Sequence, residues 1–118
     1  MKVTSWNLLH GMSIPPKSGD DFAGLAAAAA ALQTEVLAIQ EVDHNLARTN
    51  DANQCANIAL AMGASDWAFA PGIIGSPEGK WRNAGAKIIS NKESDSEVDS
   101  GSYGIGIVSK IKVLKWHR

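Results

Sequence analysis

A mixed β-sheet with helices packed on one face is the α/β fold class that this 118-residue sequence predicts. Short β-branched and aromatic stretches alternate with two helical ones in the order β-loop-α-β-loop-α-β, followed by two more strand candidates. One run, "EVLAIQE" at 35–41, is continuously apolar between two glutamates, the pattern of a strand covered on both faces. A hydrophobic content of 45% supplies one compact core, while the length is too small for two.

Each element has a local reason. "KVTSWN" at 2–7 is a strand that runs into "LLHGMSIPPKSGDD", whose glycines and prolines mark a loop. From Asp20 or Asp21 as cap, "FAGLAAAAAALQ" is an alanine-rich helix able to pack closely on a sheet. After the strand at 35–41, "DHNLARTN" reads as a loop that leaves Asp43 and His44 at the rim. "DANQCANIALAMG" is a second helix, with Asp51 expected as N-cap, Gln54 in the capping-box position and Gly63 as the stop. "DWAFAP" is a short strand. The Gly, Ser and Asp-rich stretch that follows holds one brief strand near "AKIIS". "YGIGIVS" and "KVLKWH" complete the set as two strands around a tight turn at Lys110 and Ile111.

Composition excludes several function classes. Eleven basic and 12 acidic residues are well mixed, and the formal charge of -1 offers no long-range pull toward nucleic acid or anionic membrane. The apolar run "LAAAAAAL" is too short to span a bilayer, and no signal peptide is visible, so a soluble cytoplasmic protein is expected. The single Cys55 falls on a helix among Ala52, Ala59 and Met62, as a buried thiol would.

In sheets of this class, ligands bind at the carboxyl ends of strands. Asn7 ends the first predicted strand and Glu41 the second, so neighbouring strands would bring both side chains to one rim. A carboxylate there suits a hard divalent cation, which takes oxygen donors and keeps waters for its substrate; the plain alternative is a solvated glutamate.

"SWNLLHG", then "LAIQEVDH", then "YGIGIVSK" together resemble the opening half of the endonuclease/exonuclease/phosphatase superfamily, metal-dependent phosphoesterases with a DNase I-like fold. The resemblance implies that Glu41 is the principal Mg²⁺ (or Mn²⁺) ligand and that Asn7 lies beside the metal and orients catalytic groups. His10 and Arg48 become possible phosphate contacts, with a surface histidine and an ion pair to Asp43 or Asp51 as the respective alternatives. Lys110 stands where relatives carry arginine.

The resemblance also implies that residues 1–118 form the N-terminal half of a four-layer α/β sandwich. The second half's Gly-Asp-x-Asn motif and Asp-His pair have no counterpart, and Asp51 and the Asp43-His44 pair only mimic them. The function expected is phosphodiester or phosphomonoester hydrolysis on a substrate of unidentified class, impaired by truncation. A non-catalytic binding fragment of the same fold is the alternative. A second copy in a homodimer, or the missing half, would then cover the exposed sheet.

Overall fold

The computed structural model describes residues 1–15, 22–93 and 100–118. Strands β1 (Val3–Asn7), β2 (Val36–His44), β3 (Asp66–Ile74), β4 (Arg82–Asn83), β5 (Ile89–Ser90) and β6 (Ser102–Ser109) build one sheet, and α1 (Phe22–Ala31) and α2 (Gln54–Met62) are its helices. The order is β1-β2-β6-β3-β4, with β5 also on β3. β1 and β2 run parallel and the remaining pairs are antiparallel, so the sheet is mixed as predicted. The caps expected at Asp20 or Asp21 lie outside the described residues.

Both helices share one core with the sheet. Leu25 and Ala29 of α1, and Cys55, Ile58, Ala59 and Met62 of α2, bury against Leu37, Ile39, Phe69 and Val108. Gly106 of β6 makes this approach possible, while Gly104 admits the backbone of β3. A Cβ on Gly106 would lie 2.4 Å from Cys55 Sγ, and one on Gly104 would lie 2.2 Å from the Ala70 carbonyl. Cys55 is buried as expected, and burial pushes its thiol pKa up.

The opposite face of the sheet is more open than "EVLAIQE" implied. Val36, Ala38 and Gln40 are half-buried, and Val3, Ile105 and Ile107 are 60%, 57% and 42% exposed. Part of that face is crossed by the last residues of the chain. Trp116, His117 and Arg118 line a groove of about 240 Å³ with Ala68, Ala70, Ile105 and Ile107. The expected strand over "KVLKWH" does not form, because Asp66 Oδ2 captures the Val113 N–H at 2.8 Å and Arg118 reaches the Pro71 carbonyl. Those contacts hold the segment by side chains, without a ladder.

Two other expectations at element ends are corrected. Asn53, not Asp51, caps α2, accepting from the Ala56 N–H at 3.0 Å, while Asp51 sits in a turn at φ 54°. Gln54 is the first helical residue and is fully buried, so it serves the sheet and not a capping box. Gly63 ends the helix as predicted, left-handed at φ 66°, with its N–H on Ala59 and Leu60 carbonyls.

Candidate active-site rim

Glu41 owes its position to a break in alternation. Leu37 and Ile39 point into the core, and a regular strand would send Glu41 after them. Between the pairs Ile39↔Gly106 and Val42↔Gly104, however, β2 has two residues where β6 has only Ile105. This is a β-bulge, and Glu41 occupies it at φ 55°, in the left-handed region. Val42 resumes the buried face, while Glu41 is redirected to the half-exposed rim. A non-glycine residue held there costs about 1–3 kcal/mol, the kind of strain found at functional positions.

Asn7 meets it from the parallel neighbour. β1 ends at Asn7, paired in register with Gln40, and Asn7 Nδ2 donates to Glu41 Oε1 at 2.8 Å. The orientation of the amide is fixed independently, because the Leu9 backbone N–H donates to Asn7 Oδ1 at 3.0 Å. The chain then turns through a single 3₁₀ turn, Leu9–Gly11, with Leu9 and His10 both left-handed. The expected juxtaposition of Asn7 and Glu41 is therefore present.

Asp43 and His44 are not rim loop residues. β2 continues past the bulge, pairing Asp43↔Tyr103 and His44↔Ser102, and both side chains are buried. Asp43 has no exposure. Arg48 grips it with two charge-assisted bonds, Nε to Oδ2 at 2.8 Å and Nη2 to Oδ1 at 2.7 Å. Thr49 Oγ1 adds a third at 3.1 Å. For Arg48, the ion pair with Asp43 thus prevails, and the bonded carboxylate pushes the guanidinium pKa up. His44 stacks on Phe69 with ring centroids 5.5 Å apart, and burial lowers its pKa. His10 places Nε2 3.1 Å from Met12 Sδ, and its carbonyl accepts from Gln54 Nε2 at 2.8 Å.

Sequence reasoning overlooked Tyr103. Arg48 lies over its ring, 5.3 Å from the centroid. Burial, followed by the charge of Glu41, raises the phenol pKa. The "YG" pair looked like strand pattern alone, and only the register with Asp43 reveals its neighbours.

The donor set fits a hard cation of modest coordination by protein. One carboxylate and an adjoining amide would leave most positions to water and phosphate oxygens, as Mg²⁺ prefers. Among the described residues, no group of three or more His, Cys, Asp or Glu is arranged to hold a metal ion. No helix among them is long and apolar enough to cross a membrane.

Among solved structures, the chain is similar to an endonuclease/exonuclease/phosphatase from Beutenbergia cavernae DSM 12333, with a TM-score of 0.63 and 18% sequence identity. The similarity covers 98% of this chain and 27% of that one, so the chain spans about a quarter of that protein's length, and at this identity the likeness is one of fold. No curated protein matches the sequence. Residues 4–118 match the Endonuclease/Exonuclease/phosphatase family. With that match spanning nearly every residue, and the mixed sheet and two helices reproducing part of the DNase I-like fold, the chain belongs to the endonuclease/exonuclease/phosphatase family.

Proposed function

We propose that this chain carries the metal-binding rim of a divalent-metal-dependent phosphoester hydrolase, with Glu41 as ligand to Mg²⁺ or Mn²⁺. The observation behind it is the bulge, which takes a glutamate out of the core register and sets it against Asn7 at 2.8 Å. When bound, the cation supplies neutralisation of charge that develops on phosphoryl oxygens. Glu41 holds the ion's place, and Asn7 fixes the carboxylate rotamer by donating to one oxygen while its own oxygen is tied to the Leu9 N–H. His10 and Arg48 are less direct. Arg48 already spends two of its five donors on Asp43, so any phosphate contact falls to the N–H groups left on Nη1 and Nη2.

In this reading, residues 1–118 correspond to the first half of the sandwich, and the groups that activate water come from elsewhere. Hydrolysis of bis-p-nitrophenyl phosphate by the purified chain with Mg²⁺ or Mn²⁺ tests the proposal. Glu41→Gln is expected to lower the metal-dependent rate about a thousandfold, the scale of losing a principal electrostatic group. A rate that survives the substitution sinks the reading. Saturable metal binding without turnover would instead favour a binding module built on the same rim.

A further inference from the structure

The carboxyl ends of β2 and β3 lie level, because His44 and Ile74 both pair with Ser102 of the strand between them. The chain leaves each end as a loop, and residues of the two loops line a shared pocket of about 440 Å³. That volume falls within the range of small-molecule sites. The pocket belongs to the same end of the sheet as Asn7 and Glu41, where ligands of such sheets bind. Arg48 connects the two places, since it lines the pocket and clasps Asp43, two residues beyond Glu41.

Backbone contacts set the walls. In the first loop, the Thr49 and Asp51 N–H groups both donate to the Leu46 carbonyl at 3.0 Å. In the second, the Gly75 N–H donates to the Gly101 carbonyl at 2.8 Å, and the Glu78 N–H donates to Ser76 Oγ at 3.2 Å. Two glycines let the loops approach. A Cβ on Gly101 would lie 2.5 Å from Leu46 Cδ2, and one on Gly75, which sits at φ 145°, would lie 2.3 Å from the Lys80 carbonyl. The cavity is therefore held by the fold of both loops.

The lining carries both signs of charge. Asp51 and Glu78 contribute exposed carboxylates, and Arg48 contributes a guanidinium with N–H groups to spare beyond its two bonds to Asp43. A second phosphate would meet two like charges, and an ammonium group would share the space with Arg48. A hydroxyl suits both signs, because it donates to a carboxylate and accepts from a guanidinium, and Asn45 and Ser76 add neutral polar groups. Among the described residues, no aromatic side chain lines the pocket, so a nucleobase would find no ring on which to stack. We propose that this pocket is a subsite for the hydroxyl-rich, sugar-like part of a small phosphoester, with Asp51 and Glu78 as the residues that select it. This inference rests on the phosphoester reading of the Glu41 rim.

The test titrates the purified chain, in Mg²⁺, with a sugar phosphate (glucose 1-phosphate) and with methyl phosphate, which lacks the hydroxyls, while backbone amides are followed by nuclear magnetic resonance. The sugar phosphate should bind about tenfold more tightly, the scale of one hydrogen bond to a charged group, and should shift the Gly75 and Gly101 amides. Asp51→Asn and Glu78→Gln change exposed positions without changing size, and asparagine tolerates the φ of 54° at Asp51, so both variants should fold. Each should cut the preference for the sugar phosphate about threefold and leave methyl phosphate binding as it was. If the two phosphates bind alike or not at all, or if the preference survives in the double variant, the subsite is overturned. Tighter binding of a short single-stranded DNA than of the sugar phosphate overturns it too. Mn²⁺ titration followed by electron paramagnetic resonance keeps the two readings apart. A Glu41→Gln chain that binds Mn²⁺ like the parent removes the Glu41 reading, whereas equal binding of the two phosphates by a chain whose Mn²⁺ binding needs Glu41 removes the subsite alone.

Discussion

Asp43 and Glu41 stand two residues apart on β2, and the chain treats their charges in opposite ways. Asp43 is wholly buried and meets a cation through two bonds, with Thr49 on the remaining lone pairs. Glu41 is half-buried, and the Asn7 amide that bonds it is a neutral donor. The first arrangement consumes the negative charge inside the protein. The second orients a carboxylate and leaves its charge to be offered outward. One strand therefore holds a structural acid and a candidate metal-binding acid, and the bulge between Ile39 and Val42 separates them.

The comparison is broken most directly by removing the cation. Arg48→Ala leaves Asp43 buried without its counter-charge, and is expected to cost about 3 kcal/mol of stability in urea unfolding. Glu41→Gln, which loses no buried partner, should stay within about 0.5 kcal/mol of the parent in the same experiment. Equal losses for the two variants would show that Glu41 is as structural as Asp43.

A smaller effect sharpens the cause of the separation. Glu41 sits at φ 55°, where any side chain is strained and glycine is not. Glu41→Gly should therefore be about 1 kcal/mol more stable than Glu41→Ala, even though both lack the carboxylate. If alanine proves the more stable of the two, the left-handed bulge is not a strained position.

Much of this arrangement was legible beforehand, and the rest was hidden for identifiable reasons. That Asn7 and Glu41 share a rim if their strands are neighbours followed from strand pattern and loop punctuation, and the parallel pairing of β1 and β2 meets that condition. Asp43 and His44 were misplaced because polarity was read as the end of the strand. Antiparallel pairing with β6 carries β2 on to His44, and Arg48 and Phe69 make burial of the two polar side chains tolerable. One signal was available: Glu41 is in phase with Leu37 and Ile39, so a charged residue at that position implies a bulge or a strand end. Tyr103 left no such trace. Its place opposite Asp43 depends on register across 60 residues of sequence, which local periodicity does not encode.

His44 supplies a third treatment of charge on the same strand, and the smallest test. Buried against Phe69, it is kept neutral by a depressed pKa, neither paired like Asp43 nor presented like Glu41. The unfolded chain takes up a proton below the ordinary histidine value of 6.5, while the folded chain resists until a lower pH. Stability from this residue is thus complete above 6.5 and is lost as the pH falls through that window. Glu35 and Asp66 do not blur it. A backbone bond to Lys2 holds Glu35 below its ordinary 4.5, and the Val113 N–H, with Asn91 and Lys92, holds Asp66 at about 2, so both titrate at more acid pH. Urea midpoints measured at pH 5 and pH 7.5 should accordingly show a loss at the lower pH that His44→Phe reduces. An undiminished loss in that variant would mean that His44 accepts its proton in the folded chain as readily as in the unfolded one.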